Sequence, residues 1–110
     1  NFYCAMAYPG SPLYTLAKQK QWALPDDQGG PGWIGYAQHA YDCRPLPTDH
    51  LTATQVLAFR DRAFIEYFTH PQYLNMLHRT FGPHVATHVA DMCRRQVRRR
   101  YQDEATNAAA

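Results

Sequence analysis

The sequence predicts a mainly α chain in which three to four helices follow one leading strand. Three observations carry that reading. Phe2 to Tyr8 is a short, uniformly apolar run halted by Pro9-Gly10, the length and composition of a strand buried on both faces. After residue 51, three segments repeat apolar side chains at helical spacing and are separated by His70-Pro71 and Gly82-Pro83. Between them, residues 22 to 49 follow neither period. Nothing later in the 110 residues offers the leading strand a neighbour, and the chain opens at Asn1 without a methionine. The expectation is therefore the C-terminal fragment of a larger α/β protein. It divides into a strand-turn-helix unit over 1–21, an irregular aromatic connector over 22–50, a three-helix region over 51–104 and a disordered tail over 105–110.

Each element has a local cause. Ser11 is a good N-cap and Pro12 suits the first helical position, so a helix is expected from Pro12 to about Gln21. Leu13, Leu16, Ala17 and Lys20 would form its inner face. Pro25 to Gly32 reads as a loop on its proline, aspartate and glycine content. Trp33, Ile34, Tyr36 and Tyr41 then load an irregular stretch with aromatic and apolar groups, which predicts packing across another surface. Arg44 to Thr48 is expected to be extended, because residues before proline avoid the helical region. Thr52 and Gln55 have capping-box spacing. The helix they open runs to about Thr69, with Val56, Leu57, Arg60, Ala63, Phe64, Tyr67 and Phe68 on one broad face. Pro71 starts the next helix, carrying Leu74, Leu77 and Phe81 up to a C′ glycine at Gly82. Pro83 starts the last, with Val85, Val89, Met92, Cys93 and Val97 as its stripe. Residues 105 to 110 are expected to fray.

Composition removes several function classes. An apolar content of 45% with 18% charged residues fits a globular domain. No apolar run approaches the ~20 residues of a membrane span, and no basic-then-apolar signal opens the chain, so a cytoplasmic location is the default. Three cysteines, Cys4, Cys43 and Cys93, contain no C-x-x-C pair, which suggests reduced buried thiols rather than a zinc ribbon or a disulfide framework.

Several strings in order carry a more specific message. Ala7-Tyr8-Pro9-Gly10-Ser11-Pro12-Leu13-Tyr14 resembles the Y-P-G-[ST]-x-L-Y turn near the end of the catalytic barrel in radical S-adenosylmethionine (SAM) enzymes. Gly35-Tyr36-Ala37-Gln38 and Leu46-Pro47-Thr48 resemble the segment that follows in the cobalamin-binding-domain branch. Leu51-Thr52-Ala53, Val56-Leu57 and Phe59 to Phe64 are similar to its L-[TS]-A-x-x-V-L-x-F-R-D-x-A-F string. Tyr67-Phe68, Tyr73-Leu74 and Phe81-Gly82 extend the resemblance, which covers residues 2 to 100.

The resemblance implies a parent enzyme with an N-terminal cobalamin-binding domain and a (β/α) barrel. There a three-cysteine loop holds a [4Fe-4S] cluster that cleaves SAM to a radical. Such parents are oxidoreductases or methyltransferases acting on small molecules, the magnesium-protoporphyrin IX monomethyl ester oxidative cyclase among them. This chain has neither the cluster loop nor the cobalamin domain, so it is expected to be a substrate-side and structural region without catalysis of its own. Its partners would be those missing domains.

Candidate residues follow, each with a plainer alternative. Tyr8, Pro9 and Gly10 either border the SAM or substrate pocket, as barrel strand ends do, or form a simple strand-to-helix turn. Arg60 on the apolar face either clamps an anionic substrate group or makes an ion pair across a packed contact. His84, His88 and Asp91 share a helical face at i, i+4 and i+7, a spacing open to a divalent metal or to a solvated polar face. The Trp33 to Tyr41 segment either closes over an apolar substrate or straps the outside of the barrel. Arg94, Arg95, Arg98, Arg99 and Arg100 hold five of the eleven basic residues. They complement a helix C-terminus or, in the competing reading of a self-standing helical interaction module, meet an acidic partner, nucleic acid or membrane surface.

Overall fold

In the computed structural model, which describes all 110 residues, the chain forms five α-helices and one 3₁₀ turn but no strand. The leading strand is thus corrected. A ladder needs a second strand to take alternate N–H and C=O groups, and here other groups take them. The Gln38 side-chain amide accepts from the Cys4 N–H and donates to the Cys4 carbonyl, both at 2.9 Å, and the Leu46 N–H donates to the Ala5 carbonyl at 3.1 Å. Cys4 and Met6 are buried while Tyr3 and Ala5 are exposed, so one face of this part of the segment is covered rather than two.

Helix α1 spans Pro12–Gln19. Ser11 Oγ accepts from the Tyr14 N–H at 3.1 Å, and Pro12 occupies the first helical position, as the local signals require. The helix stops short of Gln21. The Trp22 N–H reaches the Ala17 carbonyl at 2.9 Å and the Gln21 N–H reaches Lys18 at 3.1 Å, a Schellman closure that places Gln21 in the left-handed region at φ 57°. Ala17 is buried and Leu13 half-buried, whereas Leu16 and Lys20, assigned to the same inner face, are exposed.

The connector folds back on itself before it turns inward. Asp27 Oδ2 accepts from the Leu24 N–H at 2.7 Å, and the Gly32 N–H meets the Pro25 carbonyl at 2.8 Å. The 3₁₀ turn Gly32–Tyr36 follows. At Gly35 a Cβ would sit 2.7 Å from side-chain atoms of both Pro25 and Pro31, so only glycine permits that approach and the inward placement of Tyr36.

Helix α2 covers Ala53–Phe68 and opens on the expected capping box. The Gln55 N–H donates to Thr52 Oγ1 at 3.2 Å, and the Thr52 N–H donates to Gln55 Oε1 at 2.9 Å. Leu57 and Arg60 are buried and Val56, Ala63, Phe64 and Phe68 half-buried, which matches the face read from the sequence except at exposed Tyr67. Helices α3, Pro71–Phe81, and α4, Pro83–Arg94, form a hairpin through Gly82, whose φ of 94° is open to glycine. The last expected helix is two. The chain leaves helical geometry at Arg95, and α5 begins at Arg100 and continues to Ala108, through residues expected to fray.

Contacts divide the chain into two units. The larger contains Tyr3–Arg60 and Val97–Ala110, and the smaller contains Asn1–Phe2 and Asp61–Gln96, so α2 serves both. The larger unit has two apolar clusters. One holds Cys4, Met6, Tyr36, Cys43 and Leu57; the other holds Ala7, Ala17, Leu24 and Leu46. In the smaller unit only Leu77 and Cys93 are buried hydrophobics. Its packing is instead aromatic. Phe64 and Phe68 rings lie 4.7 Å apart, and Tyr67 and Tyr73 lie 5.0 Å apart, within the range of favourable ring pairs. No helix is long and apolar enough to cross a membrane.

Candidate functional site

The Tyr8-Pro9-Gly10 turn is built by its own backbone and by Ser11. The Ser11 N–H and Oγ both donate to the Tyr8 carbonyl, at 3.1 and 2.7 Å, while Gly10 takes a φ of 86°. The turn thereby fixes Tyr8 against the connector. Its ring lies 5.4 Å from that of Tyr36, which lies 5.7 Å from Trp33. Tyr36 is buried beneath, whereas Trp33 is 73% exposed, Ile34 54% and Tyr8 51%. The result is an apolar and aromatic ledge whose outer members meet solvent.

Asp26 anchors this ledge from below. Its two carboxylate oxygens accept from the Tyr36 hydroxyl at 2.6 Å and the Tyr14 hydroxyl at 2.8 Å. Those two bonds, that from Tyr36 foremost, hold the Asp26 carboxyl below the usual carboxylate range. Burial first, and then the Asp26 carboxylate, push the Tyr36 hydroxyl far above the ordinary tyrosine value. Tyr36 therefore stays a neutral donor at any physiological pH. Sequence reasoning found Tyr8 and the aromatic connector but missed Asp26 and Tyr14, because their partner lies in a loop that reads only as turn chemistry.

Arg60 is buried in the larger unit and its Nη2 lies 3.0 Å from His39 Nε2. That geometry makes the unprotonated His39 nitrogen the acceptor. Tyr8 meets Ser11 and Tyr36 while Arg60 meets His39, so the candidate turn at Tyr8, Pro9 and Gly10 and the candidate Arg60 are held by different groups.

The basic cluster reads differently in three dimensions. It does not form one solvated helix end. Arg99 is completely buried, and its guanidinium donates to the carbonyls of Ala40 and Gln38, both at 2.8 Å. Arg100 pairs with Asp42, and Arg98 pairs with Asp103 at 2.9 Å. Tyr41 completes this zone by donating to Asp103 at 2.7 Å. That bond raises the Tyr41 hydroxyl and lowers the Asp103 carboxyl, with Arg98 adding to the latter effect. Arg94 pairs with Asp91 at 2.6 Å on α4. Most of the cluster's charge is thus balanced within the chain, which weakens the case for a nucleic-acid or membrane surface. His84, His88 and Asp91 are exposed on α4, with Asp91 engaged by Arg94.

The cysteines do not fit the donor set of an iron–sulfur cluster. Cys4 and Cys43 are packed as apolar side chains with Met6, Tyr36 and Leu57, and Cys93 belongs to the other unit. Burial pushes the Cys93 thiol up. Comparison with family models, with curated proteins and with solved structures returns no match.

Proposed function

We propose that the chain is the substrate-side C-terminal region of a cobalamin-binding-domain radical SAM enzyme, either an oxidative cyclase of the magnesium-protoporphyrin monomethyl ester type or a methylase. In this reading the barrel and the cobalamin domain of the same protein hold the [4Fe-4S] cluster, SAM and cobalamin. The chain itself supplies cover and shape at the substrate end and no catalysis in isolation. No reaction step passes through its cysteines.

The observation that carries the reading is the aromatic ledge. The very turn that resembles the end of a radical SAM barrel, Tyr8 to Ser11, directs Tyr8 onto Tyr36 and leaves Trp33 and Ile34 facing outward. Large apolar groups held outward by a fixed scaffold mark a surface that another surface covers. The balanced charges of the basic cluster favour this over a charge-driven interaction module.

Reading the coding sequence upstream of Asn1 tests the proposal. An in-frame segment encoding a C-x-x-x-C-x-x-C loop, preceded by a cobalamin domain, is the expected result. An in-frame stop codon a short distance upstream, with no such loop, overturns it.

A further inference from the structure

The larger unit also holds a feature apart from the ledge, bordered on one side by the Arg100–Asp42 pair. It is a half-open cavity of about 850 Å³, bounded by the 29–31 loop, the 41–47 segment, the first turns of α2 and the start of α5. Its size falls in the range of small-molecule sites, roughly 300–1,000 Å³. Pro31, Pro45, Leu57 and Tyr101 give it apolar walls.

Four charged residues line the cavity, and two of them cancel. Arg100 is paired with Asp42. Arg44 is different. Its backbone N–H is fixed on the Gly35 carbonyl at 2.8 Å and the residue is half-buried, yet no carboxylate lies within 4.0 Å of its guanidinium. Thr54, which also lines the cavity, carries a hydroxyl with no partner in the chain, while the neighbouring Thr52 hydroxyl already caps α2. A half-buried arginine whose guanidinium has no counter-ion, sharing the cavity with a free hydroxyl and apolar walls, is complementary to one anionic oxygen pair on an apolar body. Guanidinium and carboxylate match as a two-bond fork. The fourth charge, Glu104, repels a second anionic group.

We infer that this cavity is a binding site for a small monocarboxylate with an apolar body, held by the Arg44 guanidinium and the Thr54 hydroxyl. The inference is independent of the radical SAM reading, since it uses only residues of this unit.

The test uses the full chain and two probes of the same shape, 2-naphthoate and the neutral 2-naphthamide, followed by NMR on backbone amides and the arginine Nε–H groups. Saturable shifts at Arg44, Thr54 and Tyr101 with naphthoate, at least tenfold weaker binding of the amide, and a tenfold or greater loss in Arg44→Gln are expected. Thr54→Val should lose severalfold, and Arg79→Gln, on α3 of the other unit, should change nothing. Equal affinity for acid and amide overturns the inference without relying on any variant. So does an absence of saturable shifts at millimolar naphthoate, or an Arg44→Gln variant that keeps its native spectrum and binds as well as the parent.

Discussion

Arg99 is fully buried in the larger unit and ties α5 to the 38–40 segment. A fully buried guanidinium is stable only where acceptors replace water, and the carbonyls of Gln38 and Ala40 do so. The same segment is tied to Cys4 through the Gln38 side chain and to Arg60 through His39. Replacing Arg99 with Met takes the guanidinium donor from the Gln38 carbonyl and leaves the Ala40 carbonyl with the Cys43 N–H alone. The expected loss is about 3–5 kcal/mol, read by urea unfolding. Arg99→Lys keeps the charge but replaces the planar two-nitrogen fork with a single ammonium on a shorter reach, so it should lose roughly 1–3 kcal/mol. Asp26 makes a second prediction. Its folded carboxyl lies below the usual value, so its stabilisation is complete above the unfolded pKa and is lost as the pH falls through the folded one. As the pH falls through and below the ordinary carboxylate range the melting temperature should drop, and Asp26→Asn should drop less steeply. Parallel curves for parent and variant would show that the tyrosine–carboxylate bonds add nothing. None of these partners was legible in the sequence. Arg99 reaches acceptors 59 and 61 positions away, and a run of arginines reads locally as a solvated helix end.

Helix starts, by contrast, were legible because their causes lie within four residues. Ser11-Pro12, Thr52 with Gln55, and Gly82-Pro83 open α1, α2 and α4 where the local chemistry requires. Helix ends and the extended segment were harder, since distant groups decide them. The strand expected over 2–8 gives way because a side-chain amide and the Leu46 N–H take its backbone groups. The single expected last helix splits because Arg99 must turn inward and α5 must start on its far side. There Gln102 accepts from the Arg99 N–H at 3.0 Å, and Tyr101 packs on the Cys4–Leu57 cluster. The end of α1 offers a direct check at this scale. Gln21 holds a left-handed position that glycine takes without steric cost. Gln21→Gly should therefore raise stability by about 0.5–1 kcal/mol in thermal or urea unfolding. A loss of that size would mean the Gln21 side chain compensates in the native state.

For the whole molecule, the apolar surface is the property that joins fold to function. Trp33, Ile34 and Tyr8 face outward from the larger unit, on a scaffold fixed by Asp26, Ser11 and the close approach at Gly35. The sequence showed that the 33–41 segment packs somewhere, because irregular chain this rich in aromatics seldom stays in solvent. It could not show which rings turn inward, since that depends on the Tyr36–Asp26 bond across a loop. The central claim is that the ledge is covered by the barrel of the parent enzyme. Hydroxyl-radical footprinting of Tyr8, Trp33 and Ile34, on the isolated chain and on the product of the complete gene, measures that most directly. The account predicts strong labelling of all three in the isolated chain and at least several-fold protection in the complete protein. Equal labelling in both would contradict it.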